Sequence, residues 1–269
     1  MINLNSLQSI HEQTVFFLLT MSRFSVTFAT VSFFRKEFIP VKISILLSFV
    51  LTLFLVIYGV LDKNTIPVEQ NAIYLNLVIQ LFLGFITGFI INIFVDIFLA
   101  LGQIISVQSG LGFVNFYVPK VGTITPLSQV FFITAALIFF ELNGHLLLIK
   151  MIVDSYKFNV IGVTHIDMDV VRKIILFTKL IFSGALMLSI SVLIALLISN
   201  ITLAIMTKFS PQLNVFSIGI NLSLIICFFI VYICFDVILQ NGRILMNDIM
   251  IFANLVMKSL FKQGYVQGP

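Results

Sequence analysis

The sequence has no tryptophan, two cysteines, six prolines and few charges, with only 10% of its 269 residues being Asp, Glu, Lys or Arg. Each scarcity excludes something. Soluble domains carry roughly a quarter of their residues as charges, so no stretch here has the polar surface of a separate soluble domain, and one membrane-integral unit over 1–269 is expected. Without indole anchors, only scattered tyrosines can mark a bilayer interface. Cys227 and Cys234 lie seven residues apart on an apolar run, about 10 Å along a helix and beyond disulfide reach. They read as buried hydrophobes. The net charge of +4 is spread thinly, and no basic block offers a nucleic-acid surface. The N-terminal MINLNSLQSIHEQ has no basic region ahead of its first apolar run, which argues against a removed signal peptide.

What the chain does have is oil: 60% hydrophobic residues, 30 of them Phe, and a mean hydropathy of +1.16. Spans of about 20 apolar residues fit six times, near 15–34, 43–61, 72–101, 127–153, 174–206 and 215–239. The runs 72–107 and 174–207 exceed a simple crossing, so they must tilt, bend or leave the bilayer. After Arg243, the residues Asn247, Asn254, Lys258 and Lys262 recur at spacings of four and seven opposite Ile, Leu, Met and Phe, an amphipathic helix. It suits the membrane interface, a partner helix or the end of the same bundle. The expected class is all-α and membrane-associated, with long bent helices and helical hairpins. Loop charges give no consistent topology: the basic RKEFIPVK loop favours a cytoplasmic first connection, yet the basic tail then falls on the opposite side.

Arg23, Asp96, Glu141, Asn143, His145, Lys179, Asn200, Asn221 and Asp236 fall within or at the ends of apolar runs. Ions there need protein partners, water or a polar boundary within reach. Gly84 and Gly88 form a GxxxG pair that lets a second backbone approach. Between two apolar segments lies VQSGLGFVNFYVPKVGTITPLSQ, residues 107–129. Its glycines permit unusual backbone angles and its prolines remove donors, so neither neighbouring helix continues through it.

Catalysis finds little support. Glu141 and His145 share a helix face, but catalytic zinc wants three protein ligands and no third is placed; Asn143-Gly144-His145 reads instead as a source of interhelical hydrogen bonds and a bend. HIDMD at 165–169 reads as a solvated turn, and no GxxxxGK nucleotide loop is present. No enzyme, metal or cofactor is expected. A secondary transporter is the rival reading, since broken helices and intramembrane charges suit a substrate site; the break at 107–126 has no counterpart of similar length.

SGLGFVNFYVP, PLSQ, NGHLLLI at 143–149 and KFSPQLNVFSIG at 208–219, with Arg23 and IPVK at 39–42 ahead of them, resemble the FliR family of the flagellar export gate and its SctT relatives in injectisomes. The string from Pro211 to Phe216 is the most specific part. Departures are Val118 before Pro119 where the family often has Asp, Lys208 where Arg is usual, and no proline after Ser155. The resemblance implies a FliP-like part at about 1–173, including a plug loop at 107–126, fused to a FliQ-like hairpin and C-terminal amphipathic helix at about 174–262. It implies assembly into a helical hetero-oligomeric cone with FliP-like and FliQ-like subunits and contact with an FlhB-like switch protein. The place would be the bacterial inner membrane, within the flagellar basal body and partly raised toward the periplasm, passing unfolded protein substrates. In those terms Gly110, Leu111, Gly112, Phe113, Val114, Asn115, Phe116, Tyr117 and Pro119 belong to the plug. Lys208, Pro211, Gln212, Leu213 and Asn214 form a cytoplasmic hairpin tip, and Arg23, Glu141, Asn143 and His145 are polar groups between subunits. Membrane lipid is the remaining partner.

Overall fold

The computed structural model describes residues 4–34, 39–58, 70–113, 116–118, 122–158, 168–209 and 220–260. Among them lie eight α-helices, α1 (Leu4–Thr30), α2 (Val41–Ile57), α3 (Gln70–Gln108), α4 (Pro126–Glu141), α5 (Gly144–Phe158), α6 (Met168–Phe177), α7 (Lys179–Phe209) and α8 (Ile220–Leu260). Two three-residue strands, β1 (Phe116–Val118) and β2 (Gly122–Ile124), pair antiparallel between α3 and α4. Among the described residues three helical stretches have the length and composition to cross a membrane, or four if the broken pair α4–α5 counts as one. The sequence suggested six. The shortfall has local causes: α1 opens on the polar LNSLQSIHEQ, α2 has 17 residues, and the expected span at 127–153 breaks at Leu142–Asn143.

The described residues form two compact units, one from 1–92, 143–176 and 249–269, the other from 93–142 and 177–248. Both draw on separated segments of the chain.

In the first unit, α1 and α3 run in the same direction at close approach. A Cβ on Gly84 would stand 2.6 Å from the Arg23 carbonyl oxygen, and one on Gly88 would stand 2.7 Å from Thr30 Cβ. The GxxxG pair read from sequence thus has its partner inside the chain. Thr27 Oγ1 donates to the Gly84 carbonyl at 3.1 Å. Asn92 closes the end of α1, accepting from Ser32 N and donating to the Thr30 carbonyl, both at 2.7 Å. Near the C-terminus, Ile249, Met250, Ala253, Val256 and Met257 are buried while Asn254 and Lys258 are exposed. That is the amphipathic stripe expected after Arg243, here continuous with α8 instead of forming a separate helix.

In the second unit the later part of α3 is the centre. Phe94, Phe98, Phe131 and Phe139 are fully buried, and small residues bring neighbours in: Gly102 lies against Ser128 of α4, Gly184 of α7 against Ile97, and Gly242 of α8 against Phe98 and Ile138. Inside the protein, α3 has 72% of its most apolar window buried, the α6–α7 stretch 33% and α8 only 17%. The outer faces of α7 and α8 are therefore oily and left uncovered by the described residues, with Ile194, Ile198, Phe229 and Tyr232 exposed. Such continuous apolar surface belongs against lipid or another protein.

Candidate functional site

α3 ends because Gly110 takes a left-handed backbone, φ 83°, as a residue just past a helix end commonly does. The last carbonyls of a helix have no partners within it, and here each is satisfied differently. Ser109 N donates to the Ile105 carbonyl and Gly110 N to that of Val107. Ser109 Oγ donates to the Ser106 carbonyl at 3.1 Å. The final one, Gln108, accepts from Asn200 Nδ2 of α7 at 3.1 Å. Asn200 Oδ1 in turn accepts from Ser223 Oγ of α8 at 3.3 Å.

The far root of the loop is held as firmly. Thr125 caps α4, accepting from Ser128 N, with Pro126 next as the first helical residue, where a missing N–H costs nothing. Ser106 Oγ donates to Thr125 Oγ1 at 2.8 Å; Thr125 Oγ1 and Ser128 Oγ are 2.8 Å apart; and Ser128 Oγ donates to the Leu99 carbonyl at 3.1 Å. A hydroxyl has one hydrogen, so Thr125 must be the donor to Ser128, and the buried relay runs one way from α3 to α4 and back.

Between these roots, Leu111–Phe113 form a 3-10 turn, and the ribbon pairs Phe116 with Ile124, Tyr117 with Thr123 and Val118 with Gly122. The interruption foreseen at 107–126 is thus a hairpin-like excursion with fixed ends. Of the expected plug residues, Gly110, Leu111 and Gly112 are half-buried, while Val114, Asn115 and Pro119 lie outside the described residues. Of the expected hairpin tip, Lys208 is exposed at the end of α7, and Pro211, Gln212, Leu213 and Asn214 lie outside the described residues.

The polar residues assigned to subunit contacts separate into two kinds. Arg23 is fully buried, with Nη1 donating to Ser155 Oγ at 2.5 Å and its guanidinium carbon 3.9 Å from the Tyr156 ring centroid. Its partners are within the chain, because α5 packs on α1 and brings a hydroxyl and an aromatic face to it. Asn143 has φ 54°, the left-handed region Asn tolerates better than most residues, and makes the break between α4 and α5; its carbonyl accepts from Leu146 N and Leu147 N. His145 follows, half-buried in the first turn of α5. Glu141 is exposed and 3.0 Å from Arg243 of α8.

Among the described residues no group of three His, Cys, Asp or Glu could hold a metal. Sequence reading overlooked Ser106, Gln108, Thr125 and Ser128. Thr125-Pro126 was a legible helix start; a backbone carbonyl such as that of Gln108 gives no signal at all.

The model of the bacterial export proteins, family 1, matches residues 14–249. The chain is similar to flagellar biosynthetic protein FliR of Buchnera aphidicola subsp. Acyrthosiphon pisum, 28% identical with 94% of this chain and 98% of that protein covered. It is also similar to FliR of Escherichia coli, 27% identical with 73% and 75% covered, and to the surface presentation of antigens protein SpaR of Shigella sonnei, 25% identical with 77% and 82% covered.

Proposed function

The chain belongs to the bacterial export proteins of family 1, as a type III export-gate protein most like flagellar FliR, and from that premise we propose that it helps form and plug the channel through which unfolded proteins leave. The observation that carries this reading is the excursion between α3 and α4. It interrupts an apolar chain, is tied at one end by buried hydroxyls and at the other by the half-buried Asn200 amide, and has a sequence with Leu111, Phe113, Phe116 and Tyr117 to fill a bore. A loop with rigid roots and an apolar tip can close a passage without the helices around it having to unfold.

FliP-like and FliQ-like subunits are the partners proposed for the uncovered faces of α7 and α8, with the 1–173 and 174–262 parts mimicking those relatives in a helical cone. The tip from Lys208 to Asn214 is proposed to face the cytoplasm and an FlhB-like switch protein. The location is the inner membrane, with part of the assembly raised toward the periplasm; lipid then covers only what the other subunits leave. A subunit raised in this way does not obey the charge rule for isolated spans, which accounts for the conflicting loop charges. The role is one of channel and scaffold, with no reaction of its own. Deleting 110–118 tests the reading: ion leak through the assembled complex is expected to rise several-fold with assembly retained, and unchanged conductance would refute the plug.

A further inference from the structure

We infer that Asn200 is a positioning residue that clamps the root of the plug loop to the α7–α8 hairpin, so that the hairpin sets where the loop stands. The inference rests on the plug reading for its consequence and on geometry for its substance. Of the last four carbonyls of α3, three are satisfied from the next two residues along the chain, by Ser109 N, Ser109 Oγ and Gly110 N. Only the Gln108 carbonyl needs a group from elsewhere, and Asn200 Nδ2 supplies it. The contact joins residues 92 positions apart, two residues before the positive-φ Gly110 at which the chain leaves the helix.

Asn200 is itself oriented. Ser223 of α8 donates to its Oδ1, which directs Nδ2 toward α3 and distinguishes the two ends of the amide. Both helices of the hairpin therefore bear on Gln108, α7 through Asn200 and α8 through Ser223. Among the described residues the other root has no such link: Thr125 is held by Ser106, Ser128 and the α4 turn, all on α3 or α4. The two roots are thus unequal. One is fixed to its own helix pair, and the other answers to the hairpin. A shift of α7 relative to α8 would withdraw the acceptor or donor from Asn200 and release the α3 end, while the Thr125 relay kept α4 in place. Gly110 is the joint at which that release would be felt.

The test uses the assembled complex carrying Asn200→Ala or Ser223→Ala, beside the 110–118 deletion as a control, with assembly checked by co-purification. Amide hydrogen exchange at Ser109–Phe113 is expected to quicken about fivefold in Asn200→Ala, the factor equal to about 1 kcal/mol for one lost side-chain hydrogen bond. Ser223→Ala should move the same amides less and should decide the matter if Asn200→Ala fails to assemble. Ion leak is expected to rise in step. Unchanged exchange at the root overturns the inference whatever the leak does. Quickened exchange with no leak, in a complex whose loop deletion does leak, overturns the coupling. If neither Asn200→Ala nor the deletion leaks, the plug reading fails, and exchange alone decides whether Asn200 holds the root.

Discussion

Arg23 stacks its guanidinium on Tyr156, 3.9 Å from the ring centroid, and the Tyr156 hydroxyl reaches past it to donate to the Thr20 carbonyl at 2.9 Å. One α5 side chain thereby covers the face of a fully buried cation and ties α1 to itself. Among the described residues Arg23 Nε and Nη2 have no hydrogen-bond partner, so the charge depends heavily on that ring and on Ser155.

Tyr156→Leu is therefore expected to destabilise the protein by about 3 kcal/mol, since it leaves a buried charge short of partners. Tyr156→Phe, which keeps the ring and loses one hydrogen bond, should cost about 1 kcal/mol. The informative variant is the double one: Arg23→Met with Tyr156→Leu should be more stable than Tyr156→Leu alone, because removing an unpartnered buried charge relieves its desolvation. Thermal unfolding of the detergent-extracted complex measures all three, and a double variant less stable than Tyr156→Leu would contradict the dependence.

The close-packed glycines should rank by what a methyl group would meet. Gly102→Ala strikes the Ser128 backbone and Gly84→Ala the Arg23 carbonyl at 2.6 Å, whereas Gly184→Ala first meets the Ile97 side chain, at 3.2 Å. The first two should cost about 2–3 kcal/mol and the third under about 1 kcal/mol. The same melting measurement checks the order, and a Gly184 variant as damaging as the others would contradict it.

Asn143→Gly should be close to neutral, because glycine adopts the left-handed region freely. Asn143→Val should cost about 1–2 kcal/mol at the same φ. Equal melting temperatures for the two variants would show that the break between α4 and α5 does not depend on this residue.

The Glu141–Arg243 pair is about half-exposed on both sides, and in the chain by itself a double-mutant cycle should give no more than about 0.5 kcal/mol, fading with salt. A coupling well above that in the assembled complex, insensitive to salt, would mean that another subunit covers the pair.

Much of the fold was legible because apolar runs of this length permit little but helices. The amphipathic stripe after Arg243 was visible in its spacing, as was the interruption at 107–126. Gly84 and Gly88 announced a close approach without naming its partner, since a small-residue pair is the same signal whether the second helix is α1 or a neighbouring protein. Arg23 shows the limit of that kind of reading. A cation in an apolar run has to be matched, but Ser155 and Tyr156 stand more than 130 positions away, and nothing in their spacing points back to it. Asn200 could be singled out as polar in an oily helix, whereas its bond to Gln108 goes to a main-chain carbonyl, which every residue possesses. The α4–α5 break was legible as a bend at Asn143-Gly144-His145 but not as the end of a span: Leu142 and Asn143 interrupt hydropathy too briefly to divide a run of apolar residues, although one left-handed residue is enough to divide a helix.

The faces of α7 and α8 that this chain leaves bare must meet something, and the mass of the gently extracted complex tells directly what. If they clasp other gate proteins around a conduit, the intact particle should be a hetero-oligomer containing several small membrane proteins besides this one. A stable particle made of this polypeptide alone, single or self-associated, would contradict the reading.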